Sequence, residues 1–154
     1  MIELDEIDHK LLRALAQDAT QSAGALGRRF GLSQPAAWRR IDRLEKAGII
    51  AGRELVLDAE KLGFGVTVFL GVKLATKGRI SLQDFERAVT AIPEVQTVEH
   101  VLGLYDYRLR VVARDLSDFE RVLRRRIMTL PGAGDVEANV LLSEERLPGP
   151  LHLG

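Results

Sequence analysis

The first fifty residues repeat their apolar positions with the period of an α-helix, at i, i+4 and i+7. This spacing predicts a helix over residues 5–17, a short second helix that opens at Ser22 and stops at Gly31, and a third that opens at Ser33 and stops at Gly48. Aspartate and serine are favoured N-caps, so Asp5, Ser22 and Ser33 are the predicted caps, and glycine favours the position just past a helix end. The last two helices are joined by a tight turn, which predicts a helix-turn-helix.

The third predicted helix has two unlike faces. On a wheel of about 100° per residue, its apolar face consists of Ala37, Ile41 and Leu44, and a roughly opposite face consists of Arg39, Arg43 and Lys46. We expect the apolar face to pack against the other helices and the cationic face to stand free in solvent. Trp38 lies on the flank between the two faces, where we interpret it as a packing anchor.

After residue 64 the pattern changes to strict alternation, which is typical of β-strands. Strands are predicted over residues 66–74, 95–102, 105–113 and 136–142, with helices over 81–92 and 117–130. The first of these helices is predicted to start at Ser81, in a motif that resembles a capping box. Both helices carry the same short motif, Asp84–Arg87 and Asp118–Arg121, so the segment reads as two similar strand–helix–strand halves.

This order predicts an α+β protein: a winged-type helix-turn-helix followed by a ferredoxin-like βαββαβ domain with a four-stranded antiparallel sheet. The predicted divisions are a helix-turn-helix domain over 1–50, a linker with a short strand over 51–63, the βαββαβ domain over 64–146 and an irregular tail over 147–154. Helices should cover one face of the sheet. The other face is also apolar, at Phe69, Val112 and Leu141, so we expect it to meet a partner chain.

Composition narrows the function classes. The chain has 154 residues, 22 basic and 22 acidic side chains and no cysteine, which excludes disulfides and thiolate metal sites and fits a reducing cytoplasm. Its three histidines are scattered, without metal-ligand spacing. The N-terminus has no apolar leader, and no run of about 18 apolar residues is present, so we expect no membrane span.

Positive charge is nevertheless concentrated locally. Residues 22–50 hold six basic and two acidic side chains, a local charge of +4. A cationic second helix of a helix-turn-helix fits the DNA major groove, where arginine can bond guanine edges. The candidate DNA-binding residues are Ser33, Gln34, Arg39, Arg40, Arg43, Arg28 and Arg29. Base contacts are expected from the start of the third helix and from Arg39 and Arg43, which could also hold phosphates. The plain alternative is a solvated helix face on which Asp42 and Glu45 pair with arginines.

A second candidate site lies at Gly103-Leu-Tyr-Asp-Tyr107. Gly103 permits a tight connection or a close backbone approach to a ligand. The Asp106 carboxylate suits an α-ammonium group, and free backbone N–H groups suit an α-carboxylate. The alternative is a hairpin turn with two ordinary tyrosines, Tyr105 and Tyr107, and a solvated aspartate.

Several of these segments together resemble the Lrp/AsnC (leucine-responsive, feast/famine) family of transcriptional regulators over nearly the whole chain. The resemblance rests on Leu4–Asp8, Gly31–Ser33, Arg40–Ile50, Gly103–Tyr107 and Leu130–Gly132. It implies a helix-turn-helix that binds double-stranded DNA, and a βαββαβ domain that dimerises and binds a small effector, usually an amino acid, often between dimers assembled into octamers. It implies no bound cofactor apart from this possible effector.

The resemblance places the effector near Gly103, Tyr105, Asp106 and Tyr107. Many relatives carry Thr or Ser hydroxyls on the last strand, where this chain has Val136 and Ala138. The departure removes polar contacts, so the pocket fits an apolar side chain, another metabolite or no ligand at all.

Two other functions remain open. Some tetrapyrrole decarboxylases resemble this family, and Tyr105, Asp106 and Tyr107 could in principle do acid/base work; the retained arginines argue against an enzyme. An assembly protein with vestigial helices is the other, and the cationic face argues against it.

Overall fold

The structure, a computed structural model, describes residues 1–76, 78–147 and 151–153. It divides into two compact units. Met1–Val56 and Glu145–Gly154 form the first, here called the helical unit, and Leu57–Glu144 form the second, the sheet unit. The boundary lies inside the predicted linker, and the end of the chain returns to the helical unit.

The helical unit contains three helices, α1 (Glu6–Gln17), α2 (Ala23–Phe30) and α3 (Gln34–Lys46). Each predicted cap is present: the side chains of Asp5, Ser22 and Ser33 accept hydrogen bonds from backbone N–H groups in the first turns. Gly31 ends α2 in the left-handed conformation, with φ of 71°, which glycine adopts without steric cost. The predicted helices are therefore confirmed.

The turn between α2 and α3 requires a glycine at a second position. A Cβ on Gly27 would lie 2.5 Å from the carbonyl oxygen of Leu32, so only glycine lets α2 approach the turn so closely. Beside it, Leu11, Leu26 and Ile41 supply one side chain from each helix to the core of the unit. Packing of all three helices thus fixes where α3 lies.

The linker differs from its prediction. Residues 51–57 form no strand in this chain, and the only regular element described in the linker is a 3-10 turn at Glu60–Leu62. A strand needs a hydrogen-bonded neighbour, and no strand of the described chain pairs with this segment. For the same reason no wing follows α3 within the described residues of the helical unit.

The sheet unit has the predicted βαββαβ order. Its elements are β1 (Val66–Leu74), α4 (Arg79–Val89), β2 (Val95–His100), β3 (Tyr107–Ala113), α5 (Leu116–Val122) and β4 (Ala133–Val140). The strands pair antiparallel in the order β2-β3-β1-β4, which is the ferredoxin-like arrangement.

Some boundaries moved. Helix α4 begins at Arg79 after Gly78, so Ser81 lies inside its first turn and does not cap it. Helix α5 continues as a π-helical turn, Leu123–Ile127, closed by a 2.8 Å bond from the N–H of Met128 to the carbonyl of Leu123. Strand β3 starts at Tyr107 and not at residue 105.

The sheet has one covered and one open face. Val68, Leu70 and Val72 of β1 are buried under α4 and α5. Phe69, Val112 and Leu141 alternate with this set on the other face and are half-buried, as the sequence predicts. In the described part of the chain, no helix is long and apolar enough to cross a membrane.

Candidate functional site

A buried carboxylate joins α1 to α3. Asp8 is 0% exposed. Its Oδ1 accepts a 3.0 Å bond from Arg40 Nη1, and its Oδ2 accepts a 2.7 Å bond from Arg43 Nη2. Asp8 and Asp5 also form a reciprocal capping box, with bonds of 2.8 and 3.1 Å between each carboxylate and the other residue's N–H. Asp8 therefore orients two guanidinium groups of α3 from inside the unit.

The N-terminal arm completes this ion-pair network. Arg40 Nη1 also lies 2.7 Å from Asp5 Oδ2, and Arg43 donates to the carbonyl of Glu3 at 3.3 and 3.4 Å. The hydrogen bond from the Asp8 N–H and the bond from Arg40 hold the pKa of the Asp5 carboxyl below its usual range. The same pairing, with Asp5 first and Asp8 second, raises the pKa of the Arg40 guanidinium.

These contacts correct the expectation that the cationic face stands free. Arg43 keeps 45% of its side chain exposed, but its guanidinium is bonded to Asp8. Arg40 is less exposed and bonded to two carboxylates. An open groove of about 720 Å³ lies here; its lining includes Glu3, Asp5, Asp8, Arg39, Arg40 and Arg43. Acidic and basic side chains balance in this groove, so it is not a strongly cationic surface.

The signal for this network was present in the sequence and was missed. Asp8 precedes Leu11, Leu12 and Leu15 at helical spacings, so it lies on the apolar side of α1. A carboxylate on a buried helix face needs a cationic partner. The arginines of α3 were the candidates for that partner.

Three other arginines are exposed and unengaged. Arg28, Arg29 and Arg39 make no ion pair or side-chain hydrogen bond in the parts of the chain the structure describes. Arg29 lies over the ring of Phe30 at 5.1 Å. By contrast, Lys46 is paired with Asp42 at 2.8 Å, one turn away on α3. The available positive charge therefore lies at the end of α2 and in the first half of α3.

Ser33 and Gln34 lie beside these arginines. The Ser33 hydroxyl oxygen accepts from the N–H of Ala36 at 3.2 Å, so it serves as the N-cap of α3. A Cβ on Gly24 would lie 3.6 Å from Arg28 Nη1 and 3.8 Å from Gln34 Oε1, which places both side chains around that glycine. The side chains of Arg28 and Gln34 therefore lie on the same surface patch.

Trp38 does not pack as predicted. Its side chain is 57% exposed. The core face of α3 is filled by Ala37, Ile41 and Leu44, which are buried, and position 38 lies on the flank of that face, about 100° from Ala37. The interpretation of Trp38 as a packing anchor is wrong.

In the sheet unit, the Asp106 carboxylate is already bonded. Its Oδ2 accepts a 2.8 Å bond from the N–H of Leu74, and its own N–H donates to the carbonyl of Val72 at 2.9 Å. These bonds tie the loop after β2 to the end of β1. Gly103 is exposed, with no atom within 4 Å of where a Cβ would lie and no positive φ. The Asp106 carboxylate, which was expected to suit an effector ammonium group or, in the alternative, to be solvated, thus accepts a backbone hydrogen bond within the chain.

Tyr105 lies across the open face of the sheet. Its ring covers Gly71, where a Cβ would come within 2.7 Å of the ring. Its hydroxyl donates to Glu137 Oε2 at 2.5 Å. This bond, together with desolvation, raises the pKa of the Tyr105 hydroxyl. Tyr105 and Glu137 form a polar pair between the loop and β4.

Tyr107 points to the opposite face. It is 1% exposed, its ring lies 4.6 Å from Phe85 and 4.7 Å from His100, and its hydroxyl donates to Glu86 Oε1 at 2.5 Å. Burial, followed by the bond to Glu86, raises the pKa of the Tyr107 hydroxyl. Tyr107 is thus a core residue with a satisfied hydroxyl.

Val136 and Ala138 also lie on the helix side of the sheet, because they pair with the buried Val72 and Leu70. The predicted effector residues are therefore divided between two faces within one chain. Tyr105 lies on the open face, and Tyr107, Val136 and Ala138 lie on the covered side. The strand register that divides them cannot be read from spacing alone.

A helix-turn-helix with free arginines, joined to a ferredoxin-like domain with an exposed loop, defines the class of two-domain regulators that bind DNA and a ligand. The chain belongs to the Lrp/AsnC family. The AsnC-type helix-turn-helix domain matches residues 4–45, and the Lrp/AsnC ligand binding domain matches residues 67–148.

Curated relatives agree. The chain is 36% identical over 141 residues to the DNA-binding transcriptional activator DecR of Escherichia coli, which covers 92% of this chain and 93% of the relative. It is 34% identical over 147 residues to the proline dehydrogenase transcriptional activator of Rhizobium radiobacter, covering 96% and 94%.

Solved structures show the same fold. A transcriptional regulator of Neisseria meningitidis in complex with L-Met has a TM-score of 0.91 at 27% identity, covering 98% of this chain and 97% of that one. An AsnC family regulator from Agrobacterium tumefaciens has a TM-score of 0.87 at 32% identity, covering 97% of both chains.

Proposed function

We propose that this chain is a sequence-specific transcriptional regulator whose helical unit binds operator DNA and whose sheet unit binds a small effector, an amino acid. It acts in the cytoplasm as a homodimer that assembles into an octamer, and it is not an enzyme. The relatives named as transcriptional activators support the first part. The L-Met complex of the Neisseria regulator supports the choice of effector class.

One observation carries the DNA-binding proposal: Arg28, Arg29 and Arg39 are exposed near the turn between α2 and α3 and form no ion pair among the described residues. In a helix-turn-helix, the N-terminal residues of the second helix contact base edges. Phosphates attract the remaining cations. We therefore assign base contacts to Gln34 and Arg39, and phosphate contacts to Arg28 and Arg29.

Arg40 and Arg43 receive a different role. Their guanidinium groups are bonded to carboxylates of α1 and its arm, so their first task is to hold α3 against α1. Arg43 keeps unused donors at its exposed side, and a phosphate can bond there without displacing Asp8. We therefore assign base recognition to Arg39 and the support of α3 to Arg40 and Arg43.

The test begins with genome-wide mapping of bound sites, which supplies an operator. Binding of that duplex is then titrated for Arg39→Ala and Arg43→Ala across a salt series. We expect Arg39→Ala to weaken operator binding about tenfold or more, since one bidentate base contact contributes about 1–3 kcal/mol, with the melting temperature unchanged. Arg43→Ala should lower the melting temperature, because it removes a partner of the buried Asp8.

The salt dependence of the binding affinity distinguishes phosphate contacts from base contacts. Each lost phosphate contact should reduce the slope of log K against log salt by about 0.9, so Arg28→Ala and Arg29→Ala should flatten it. The matched control is Arg87→Ala, an exposed arginine of α4 in the other unit, which should change neither slope nor affinity. Unchanged affinity in Arg28, Arg29 and Arg39 variants together would refute this surface as the DNA interface.

The effector proposal rests on the loop at Gly103 and Tyr105. This loop is tied down by Asp106 yet exposed at its tip. Because Tyr107 and Val136 lie on the other side of the sheet, one chain does not gather the predicted residues around one ligand. We therefore infer that another copy of the chain completes the site, as the proposed octamer would allow.

Oligomerisation is proposed to use the open sheet face. Phe69, Val112 and Leu141 form its apolar part, and Arg110 pairs there with Glu144 at 3.2 Å. Burial of such a face contributes about 25 cal/mol per Å². Phe69→Glu should therefore convert the assembly to smaller species in sedimentation velocity, whereas Lys61→Glu, an exposed change elsewhere in the sheet unit, should not.

An amino-acid screen by thermal shift tests the effector. A binding amino acid should raise the melting temperature, and the rise should grow with the logarithm of its concentration above the dissociation constant; Gly103→Trp should abolish that rise. If neither melting, sedimentation nor operator binding responds to any of the twenty amino acids, the effector proposal fails while the DNA-binding proposal stands. The enzyme alternative gains no support, since Tyr105 and Tyr107 lie on opposite faces of the sheet.

A further inference from the structure

The outward face of α3 is simpler than its sequence suggests. Arg40 and Arg43 are held by Asp5 and Asp8, and Lys46 is held by Asp42. When these paired side chains are set aside, the part of the outward face without ion pairs is the first two turns of α3. Its exposed members there are Gln34, Pro35, Trp38 and Arg39.

Trp38 is the large apolar member of this set. It lies one helical turn after Gln34 and directly before Arg39, so it is flanked by the two residues assigned to base contacts. Its side chain is 57% exposed, and its indole makes no hydrogen bond or ring contact among the described residues. More than half of the Trp38 surface is therefore open to a ligand at this point.

The major groove offers one apolar feature to such a side chain. Thymine presents its C5-methyl group there, while the other base edges present hydrogen-bond donors and acceptors. The exposed Arg39 beside Trp38, and Arg28, which lies with Gln34 around Gly24, favour a polyanionic partner. Resting on the proposed DNA-binding function, we propose that Trp38 is a specificity-determining residue that contacts the C5-methyl group of a thymine in each half-site of the operator.

The experiment changes the DNA and leaves the protein intact. In the mapped operator, each thymine is replaced in turn by deoxyuridine, which lacks only the methyl group. Loss of one buried methyl group costs about 0.8 kcal/mol, or about fourfold in affinity. We expect one symmetric pair of positions to show this loss with the wild-type protein.

A double-mutant cycle assigns the loss to the indole. Trp38→Ala should weaken binding of the thymine operator about tenfold or more, because the contact of the whole indole is removed, and it should be insensitive to deoxyuridine at the same pair. Arg39→Ala should remain sensitive there. Since Trp38 is exposed, its variants should melt with the wild type, and Trp38→Phe should keep part of the methyl sensitivity.

Fluorescence gives an independent measurement, because Trp38 is the only tryptophan of the chain. Free protein should emit at the long wavelength of a solvated indole, and operator DNA should shift or quench that emission. Blue-shifted emission without DNA would show that the indole is covered in the free protein, and it would overturn the inference. Equal deoxyuridine sensitivity in wild type and Trp38→Ala would also overturn it. Absence of any DNA binding would instead refute the proposed function.

Discussion

An aspartate in each unit fixes the position of neighbouring groups, and the two aspartates have different roles. Asp8 of the helical unit is fully buried and bonds two guanidinium groups from residues 32 and 35 positions away. Asp106 of the sheet unit accepts from a backbone N–H of β1. The first sets the position of a recognition surface and removes charge from it. The second fixes a loop and leaves the surrounding surface unchanged.

The comparison teaches that a charged segment in sequence is not the same as a charged surface. Over Met1–Val56 there are nine basic and eight acidic side chains, so the helical unit is nearly neutral. A cationic side chain is available to DNA only where no carboxylate of the chain pairs with it. In the sheet unit, the alternation of apolar residues along the strands determines the fold. Polar contacts such as that of Asp106 hold a loop in place.

The largest effect is expected where the buried charge is removed. Asp8→Asn leaves Arg40 and Arg43 without their shared carboxylate, and breaking a buried ion pair costs about 3–5 kcal/mol. Both arginines can reach solvent here, so we expect about 2–3 kcal/mol of lost stability. Urea unfolding followed by circular dichroism measures it.

Glu6→Gln is the matched control for Asp8→Asn. Glu6 is an exposed carboxylate on the same helix and pairs with Lys10 at 2.9 Å. Exposed pairs of this kind contribute little, so the control should unfold with the wild type. A wild-type unfolding midpoint in Asp8→Asn would contradict the supporting role of the ion-pair network.

A smaller effect is expected in the core of the sheet unit. Tyr107→Phe removes the hydrogen bond to Glu86 while keeping the ring between Phe85 and His100. Hydrogen bonds to charged groups contribute about 1.5–3 kcal/mol, and because Glu86 is partly solvated we expect the lower end. Glu86→Gln, which keeps an acceptor, should lose less in the same urea titration.

The stability of the sheet unit at alkaline pH is expected to depend on Tyr107. Burial and Glu86 raise the pKa of Tyr107 in the folded chain above the unfolded value of 10.0. The folded state therefore retains a proton that the unfolded state releases, so its stability is intact below about pH 10 and falls as pH rises further. This loss should be smaller in Tyr107→Phe. An identical alkaline decline in both proteins would show that Tyr107 does not drive it.

The smallest effect is expected at the loop. Asp106→Ala removes the acceptor for the N–H of Leu74, which should cost about 1 kcal/mol. Asp106→Asn keeps an oxygen acceptor and should be nearly neutral in stability. If Asn also abolishes an amino-acid thermal shift while stability holds, the Asp106 carboxylate contacts the effector after all, and the contrast with Asp8 narrows.

Local signals in the sequence were sufficient for much of the fold. The caps at Asp5, Ser22 and Ser33 act within one turn of themselves, and the alternation of Val66–Leu74 marks one buried face, so both could be predicted. Contacts between distant residues could be predicted only in part. The position of Asp8 on the apolar side of α1 signals a cationic partner, but which arginines it bonds depends on how α1 packs on α3.

The same limit applies to the candidate effector residues. Gly103–Tyr107 is contiguous in sequence, but β3 begins only at Tyr107, so the strand alternation does not extend back to Tyr105 and the two tyrosines lie on opposite faces. The start of α4 was misplaced because Ser81 resembles a cap, while the structure uses Gly78, which has no side chain to signal the position.

The return of the chain end to the helical unit has a consequence for dissecting this protein. Residues 145–153 group with α1–α3, and Arg13 donates to the carbonyl of Leu153 at 3.1 Å. The sheet unit is thus an insertion within the helical one, joined to it through two covalent tethers. A fragment cut after residue 56 would therefore lack the part of its own domain that the end of the chain supplies.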